Sequence, residues 1–201
     1  MSFSGKVREE LSENISQARH CRIAELAAFI GMCGTVSIDS FDRYHIKIHS
    51  ENIVVARKVF TLLKKTFNIR TDIVVRRNTV KGSSSYHIYA RGEELLAVRQ
   101  AIVQAVCCKR AYIRGAFLAS GSMSDPSKSY HFEIVCEKER QAEHLKEMIN
   151  SFGLDAKIVK RKKAYVVYLK EGEQIVDILN VMEAHKALME LENVRILKEM
   201  R

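Results

Sequence analysis

Few side chains in this sequence combine the type and the spacing that a reaction demands. His45 and His49 lie in Arg43-Tyr44-His45-Ile46-Lys47-Ile48-His49, an apolar and polar alternation that puts both on one strand face, and His131 holds the matching place in Tyr130-His131-Phe132-Glu133-Ile134. Positions four apart on a strand are roughly 13 Å apart, too far for both imidazoles to reach one ion, so solvated or phosphate-facing histidines are expected. Asp39 and Asp125 are the acids that follow two glycine-stopped helices, but Asp125 precedes the single proline, a pair that favours a turn over a cation ligand. The five cysteines, at 21, 33, 107, 108 and 136, are odd in number and give no Cys-x-x-Cys spacing, which points to reduced thiols without a metal. There is no Gly-rich phosphate loop, no Ser-His-Asp signature and no cysteine nucleophile with a base.

What the chain has in excess is positive charge, 33 Lys and Arg against 24 Asp and Glu, for a net +9 that suits a polyanionic partner. His45, Lys47 and His49 supply one strand face, with Arg76, Lys157 and Arg161 as further members whose side of the sheet the sequence leaves open. Two hairpins add Arg77, Lys81, Lys160, Lys162 and Lys163. Such side chains suit phosphate contact, with salt-sensitive, sequence-independent affinity of roughly 10⁻⁴ to 10⁻⁶ M. Glu133 interrupts the positive face, aromatics are too sparse for stacked single strands, and a solvated basic rim without a ligand is the alternative.

The elements that must hold these residues repeat. Residues 4 to 18 predict a first helix with Ser4 as N-cap, outside the repeat. Then come a helix over 21–33, strands over 35–39 and 43–49 around a turn at 40–42, a helix over 51–67, strands over 69–77 and 84–90, and a closing helix over 93–106. The second half replays this, with a strand at 130–134, a helix at 138–151 and strands at 154–159 and 164–169. A tail helix from about 181 presents Leu188, Leu191, Val194, Ile196 and Leu197 on one side. At an offset of 87, Ala24 falls on Ala111, Ala28 on Gly115 and Gly34 on Gly121. Small residues four apart let helix axes approach closely, and the glycine ends each helix.

Those two stretches, Leu26 to Gly34 and Ile113 to Gly121, resemble the paired LAGLIDADG helices of single-chain homing endonucleases. The words around them resemble the WhiA family still more closely: Ser2-Phe3-Ser4 with Val7-Arg8-Glu9-Glu10-Leu11, then Tyr112 through Ser122, Ser124-Asp125-Pro126, and Lys128 through Ile134. WhiA proteins are bacterial regulators of sporulation and cell division, and their larger domain is a degenerate copy of the endonuclease fold. In active endonucleases the eighth motif position is an acid that holds the divalent metal. Here those positions are Cys33 and Ser120, a thiol and a hydroxyl where Mg²⁺ wants anionic oxygen at about 2.0–2.1 Å, so the resemblance implies that cleavage is lost.

The expected fold is α/β (α+β), two pseudosymmetric αββαββα halves of LAGLIDADG type whose antiparallel sheets form a saddle. The expected division is an N-terminal helix over 1–20, halves over 21–107 and 108–181, and a helix or linker over 182–201 leading to a helix-turn-helix domain in a longer protein. The resemblance implies a non-catalytic DNA-binding transcription regulator in the cytoplasm, associated with the nucleoid, that needs no cofactor or metal. Its partners would be double-stranded DNA, held mainly by the C-terminal domain, and another regulator or RNA polymerase, with no membrane contact. Two alternatives remain: a protein-docking module without DNA contact, and, disfavoured, an active endonuclease or RNA maturase.

Overall fold

Hydrophobic alternation and stripes become eight α-helices and eight strands in the computed structural model, which describes residues 1–41, 43–80 and 82–200. Two compact units emerge, Ile15–Gly115 and Met1–Asn14 with Ala116–Arg201. Helix α1 (Phe3–Glu13) belongs to the latter.

In the unit Ile15–Gly115 the order is α2 (Arg19–Cys33), β1 (Gly34–Ile38), β2 (Tyr44–Ser50), α3 (Ile53–Phe67), β3 (Thr71–Asn78), β4 (Ser83–Arg91), a 3-10 turn at Glu93–Leu95, α4 (Leu96–Arg99) and the start of α5 (Val106–Ser120). The strands pair antiparallel in the order β1-β2-β4-β3. Strand parity puts Ile46, Ile48, Ile88 and Ala90 on one face, against α2 and α3, where Leu26, Phe29, Val59 and Leu62 are buried with them. Each of these isoleucine, leucine, valine and phenylalanine side chains taken from water stabilises the unit by about 1.5–3 kcal/mol. Asn52 caps α3, its side chain accepting from the Val54 amide at 2.8 Å, and Asn68 ends it in the left-handed region at φ 51°.

The expected closing helix over 93–106 is not continuous. Helical backbone stops at Arg99, and Val103 packs instead against the small cluster formed by Cys21, Ala24, Cys108 and Ala111. The β-branched pair Ile102-Val103 favours that departure, and helix resumes only at Val106.

The other unit repeats the topology with β5 (Gly121–Met123), β6 (Phe132–Cys136), α6 (Glu139–Asn150), β7 (Lys157–Arg161), β8 (Ala164–Leu169), α7 (Gly172–Met182) and α8 (His185–Glu199), in the sheet order β5-β6-β8-β7. Phe117 stacks on Phe132 at 5.5 Å between ring centroids, and Leu145, Ile149 and Val167 complete this core. The cap of α1 is Ser2, which accepts from the Gly5 amide at 3.1 Å; Ser4, the expected cap, is buried and accepts from the Met123 amide at 3.3 Å. The expected tail helix is interrupted at Glu183, in the left-handed region at φ 67°. The next helix, α8, is capped from outside by Glu10, whose carboxylate accepts from the amides of Lys186 at 2.8 Å and Ala187 at 3.0 Å. Of the expected stripe, Leu191 is buried, but Ile196 and Leu197 face solvent. Among the described residues no helix is long and apolar enough to cross a membrane.

Candidate nucleic-acid interface

The two motif positions where an endonuclease keeps its acids are turned back on their own helices. Cys33 Sγ donates to the Phe29 carbonyl at 3.3 Å, and Ser120 Oγ to the Ala116 carbonyl at 3.5 Å. Burial pushes the Cys33 thiol up to about 12, so it stays protonated at neutral pH. The acids that follow are engaged as well. Asp39 Oδ1 accepts from the amides of Phe41 (2.8 Å) and Arg43 (3.0 Å), while Oδ2 meets Arg43 Nε at 3.0 Å and His45 Nε2 at 2.9 Å. The bond from His45 does most to hold the Asp39 carboxyl well below the usual carboxylate range. Asp125 closes a turn, accepting from the Ser127 amide at 2.9 Å and its hydroxyl at 2.6 Å.

Strand register decides which basic side chains share a surface. In the sheet β1-β2-β4-β3, the face turned away from α2 and α3 carries His45, Lys47 and His49 of β2, opposite Arg91, Tyr89 and His87 of β4. Arg76 of β3 stands on that face, paired with Ser85, whereas Arg77 falls on the other side of the strand, paired with Ser84. Lys47 Nζ lies 5.8 Å from the centroid of the Tyr89 ring, and the His49 and His87 rings are 4.9 Å apart. His87 is buried with no partner for Nδ1 among the described residues. Burial first, then Arg76, His49 and Lys47, lower its pKa, which keeps the imidazole neutral. Asp39 and Asp72 temper the charge at the edges. Lys81 lies outside the described residues.

The sheet β5-β6-β8-β7 has a different open face. Lys157 and Arg161 are on it, but so are Glu133 and the apolar Val135, Val159 and Val166. Arg161 pairs with Glu133 at 3.0 Å, and His131 meets the same carboxylate at 2.9 Å. Lys160 points to the helix side, its Nζ 5.5 Å from the Tyr165 ring centroid, while Lys162 and Lys163 form the exposed hairpin, Lys162 in the left-handed region at φ 55°. Burial works to raise the Glu133 pKa, but His131 and Arg161 outweigh it and hold the carboxyl below its ordinary value. A depressed carboxylate adds stability above its unfolded pKa of about 4.3 and loses it as pH falls through the folded value. Glu133→Gln is therefore expected to lower the urea midpoint at pH 7, with the deficit shrinking as pH falls through the folded value of the carboxyl; a deficit unchanged by acidification would contradict the pairing.

Sequence reasoning missed His87, Tyr89 and Arg91, although the alternation His87-Ile88-Tyr89-Ala90-Arg91 carries them. It also missed that His20, Cys21, Cys107 and Cys108 bring four ligand atoms within 4.8 Å of one another, since spacing within either pair hides what the 87-residue offset joins.

Residues 19–99 match the family described as WhiA N-terminal LAGLIDADG-like domain, and residues 109–201 the WhiA LAGLIDADG-like domain. The stretch between them is where the expected closing helix gives way. A "Probable cell division protein WhiA" of Lachnoclostridium phytofermentans is 52% identical over 100% of this chain and 71% of its own length, and one of Alkaliphilus oremlandii is 45% identical over 100% and 70%. Full-length DUF199/WhiA from Thermatoga maritima superposes with a TM-score of 0.85 at 24% identity, covering 100% of this chain and 68% of that one. I-DmoI in complex with DNA and Mn gives 0.59 at 13% identity over 82% and 97%. These last two likenesses speak for the fold alone.

Proposed function

The chain belongs to the WhiA family, and from that premise we propose that it is a non-catalytic DNA-contacting part of a bacterial regulator of cell division and sporulation. One observation carries this reading: a continuous open sheet face bearing His45, Lys47, His49, Arg76 and Arg91 accompanies motif positions that present no carboxylate. Cys33 and Ser120 spend their hydrogen atoms on carbonyls one turn back, and a neutral thiol and hydroxyl are poor ligands for a hard cation. The surface holds phosphates in place without reading bases, so affinity is weak and electrostatic. Sequence-specific grip and any contact with RNA polymerase or a second regulator fall to other surfaces of the full-length regulator.

The test is duplex binding by this chain across a salt series. Affinity is expected near 10⁻⁴ to 10⁻⁶ M, an order-of-magnitude figure, and to fall log-linearly with salt. Each of Lys47→Ala, Arg76→Ala and Arg91→Ala should weaken binding on all sequences alike and reduce the salt slope by about 1. Mg²⁺ or Mn²⁺ should produce no nicking. Salt-independent binding, or none at any salt, would favour protein docking, which Val135 and Val159 on the other sheet would serve. Nicking abolished by Asp39→Asn or Asp125→Asn would restore the nuclease reading.

A further inference from the structure

Helices α2 and α5 each open on a pair of soft metal ligands. His20 and Cys21 are the second and third residues of α2, and Cys107 and Cys108 are the second and third of α5. The offset that superposes the two helices thus carries His20 onto Cys107 and Cys21 onto Cys108. His20 Nδ1 stands 3.1 Å from Sγ of Cys108 and 3.5 Å from Sγ of Cys21, and all four ligand atoms lie within 4.8 Å of one another. Zn–S bonds of about 2.3 Å and Zn–N bonds of about 2.0–2.1 Å in a tetrahedron imply N···S edges of roughly 3.6 Å and S···S edges of roughly 3.8 Å. Shifts of roughly 1 Å close these four atoms round such an ion. We propose that His20, Cys21, Cys107 and Cys108 form a structural zinc site of three thiolates and one imidazole that clamps the start of α2 to the start of α5.

The surroundings suit that role. One turn further on, Ala24 and Ala111 join Cys21 and Cys108 in a small buried cluster, with Ala18 and Val103 packed against it. Cys21 and Cys108 are buried, while His20 and Cys107 are exposed, so the site has a dry inner half and an open side by which an ion enters. Without a cation the two buried sulfurs resist ionisation: burial and the neighbouring thiols push Cys21 up to about 12 and raise Cys108 as well. Bound Zn²⁺ reverses this, each coordinating thiol releasing its proton to solvent. Three thiolates and a neutral imidazole leave one excess negative charge on the site, and all four ligands stand in the first turn of a helix, the end where the macrodipole is positive. Sulfur ligands discriminate against Mg²⁺ and Ca²⁺, and four protein ligands leave no position open for a substrate, as in structural rather than catalytic zinc sites.

The experiment uses the full chain, reduced, stripped with a chelator and titrated with Co²⁺. One equivalent should develop the intense visible bands of tetrahedral cobalt together with sulfur-to-cobalt charge transfer, and Zn²⁺ should displace it one for one. Cys107→Ser and His20→Asn, at exposed positions where folding is readily checked by circular dichroism, should weaken zinc binding by at least the roughly 10–100-fold that loss of an outer-shell partner costs. Cys33→Ser and Cys136→Ala should leave the stoichiometry unchanged. A folded, reduced chain that takes up neither metal would overturn the proposal. So would octahedral cobalt without sulfur charge transfer, undiminished zinc affinity in the Cys107→Ser/His20→Asn double variant, or a Cys21–Cys108 disulfide formed in air by a chain that binds no metal when reduced.

Discussion

Glu25→Ala is expected to destabilise the unit Ile15–Gly115 by about 3–5 kcal/mol, which for a domain of ordinary stability is most of what keeps it folded. Glu25 of α2, Lys58 of α3 and Arg114 of α5 are all within 1–2% of complete burial. The Glu25 carboxylate takes the Lys58 ammonium on Oε1, and Arg114 through Nε on Oε1 and Nη2 on Oε2, both at 3.3 Å. Arg114 Nη2 also donates to Ser16 Oγ at 2.8 Å. Removing the anion takes their shared counter-charge from two cations buried where water does not reach, a much larger loss than that of one hydrogen bond. Glu25→Gln keeps the shape but not the charge and should cost nearly as much. The triple variant Glu25→Met, Lys58→Met, Arg114→Met should recover most of the loss, because no unpaired charge remains. Urea denaturation checks all three; an alanine variant within about 1 kcal/mol of the parent would mean that water screens the triad.

The triad also marks where sequence reading stops. Periodicity located the motif helices, and the 87-residue offset holds without slippage from Arg19–Cys33 to Val106–Ser120. Strict alternation in β2 likewise assigned His45, Lys47 and His49 to the side away from Ile46 and Ile48. In β3 the run Ile73-Val74-Val75 has no alternation, so only the register with β4 separates Arg76 from Arg77; the same holds for Lys157 and Lys160 in β7. Buried charges were illegible for a different reason. Glu25, Lys58 and Arg114 are each amphipathic-looking members of a helix, and only packing shows that they answer one another. Closing helix 93–106 failed because Val103 packs against the Cys21–Cys108 cluster instead of continuing a helical stripe, while Ile102 and Val106 face solvent.

These contacts explain how the motif helices keep their packing without their acids. Among the described residues Cys33 bonds only to the Phe29 carbonyl of its own helix, so no partner elsewhere in the core depends on that side chain. The small residues are different: Ala24 and Ala111 sit inside a buried cluster, and Gly115 lies against α2. The packing of the two helices can lose the first kind of residue freely and the second kind not at all.

Gly115 puts a sign on that argument. A Cβ at this position would stand 2.7 Å from the Glu25 carbonyl oxygen, 3.0 Å from Ala28 Cβ and 3.1 Å from Glu25 Cγ. Two of those neighbours belong to the residue that holds the buried triad, and the nearest is backbone, which yields only if α2 moves. Helix propensity alone predicts that Gly115→Ala stabilises α5 by about 1 kcal/mol. Overpacking predicts a loss of about 1–3 kcal/mol, plus strain on the 3.3 Å contacts between Arg114 and Glu25. The clash should win, giving a net loss for Gly115→Ala and a loss of roughly 3 kcal/mol or more for the bulkier, β-branched Gly115→Val. Because both act through Glu25, a Gly115→Ala/Glu25→Gln double variant should lose less than the sum of its parts. A Gly115→Ala chain more stable than its parent would show that the two helices do not meet at this distance, and the triad, which depends on the same approach, would fall with it.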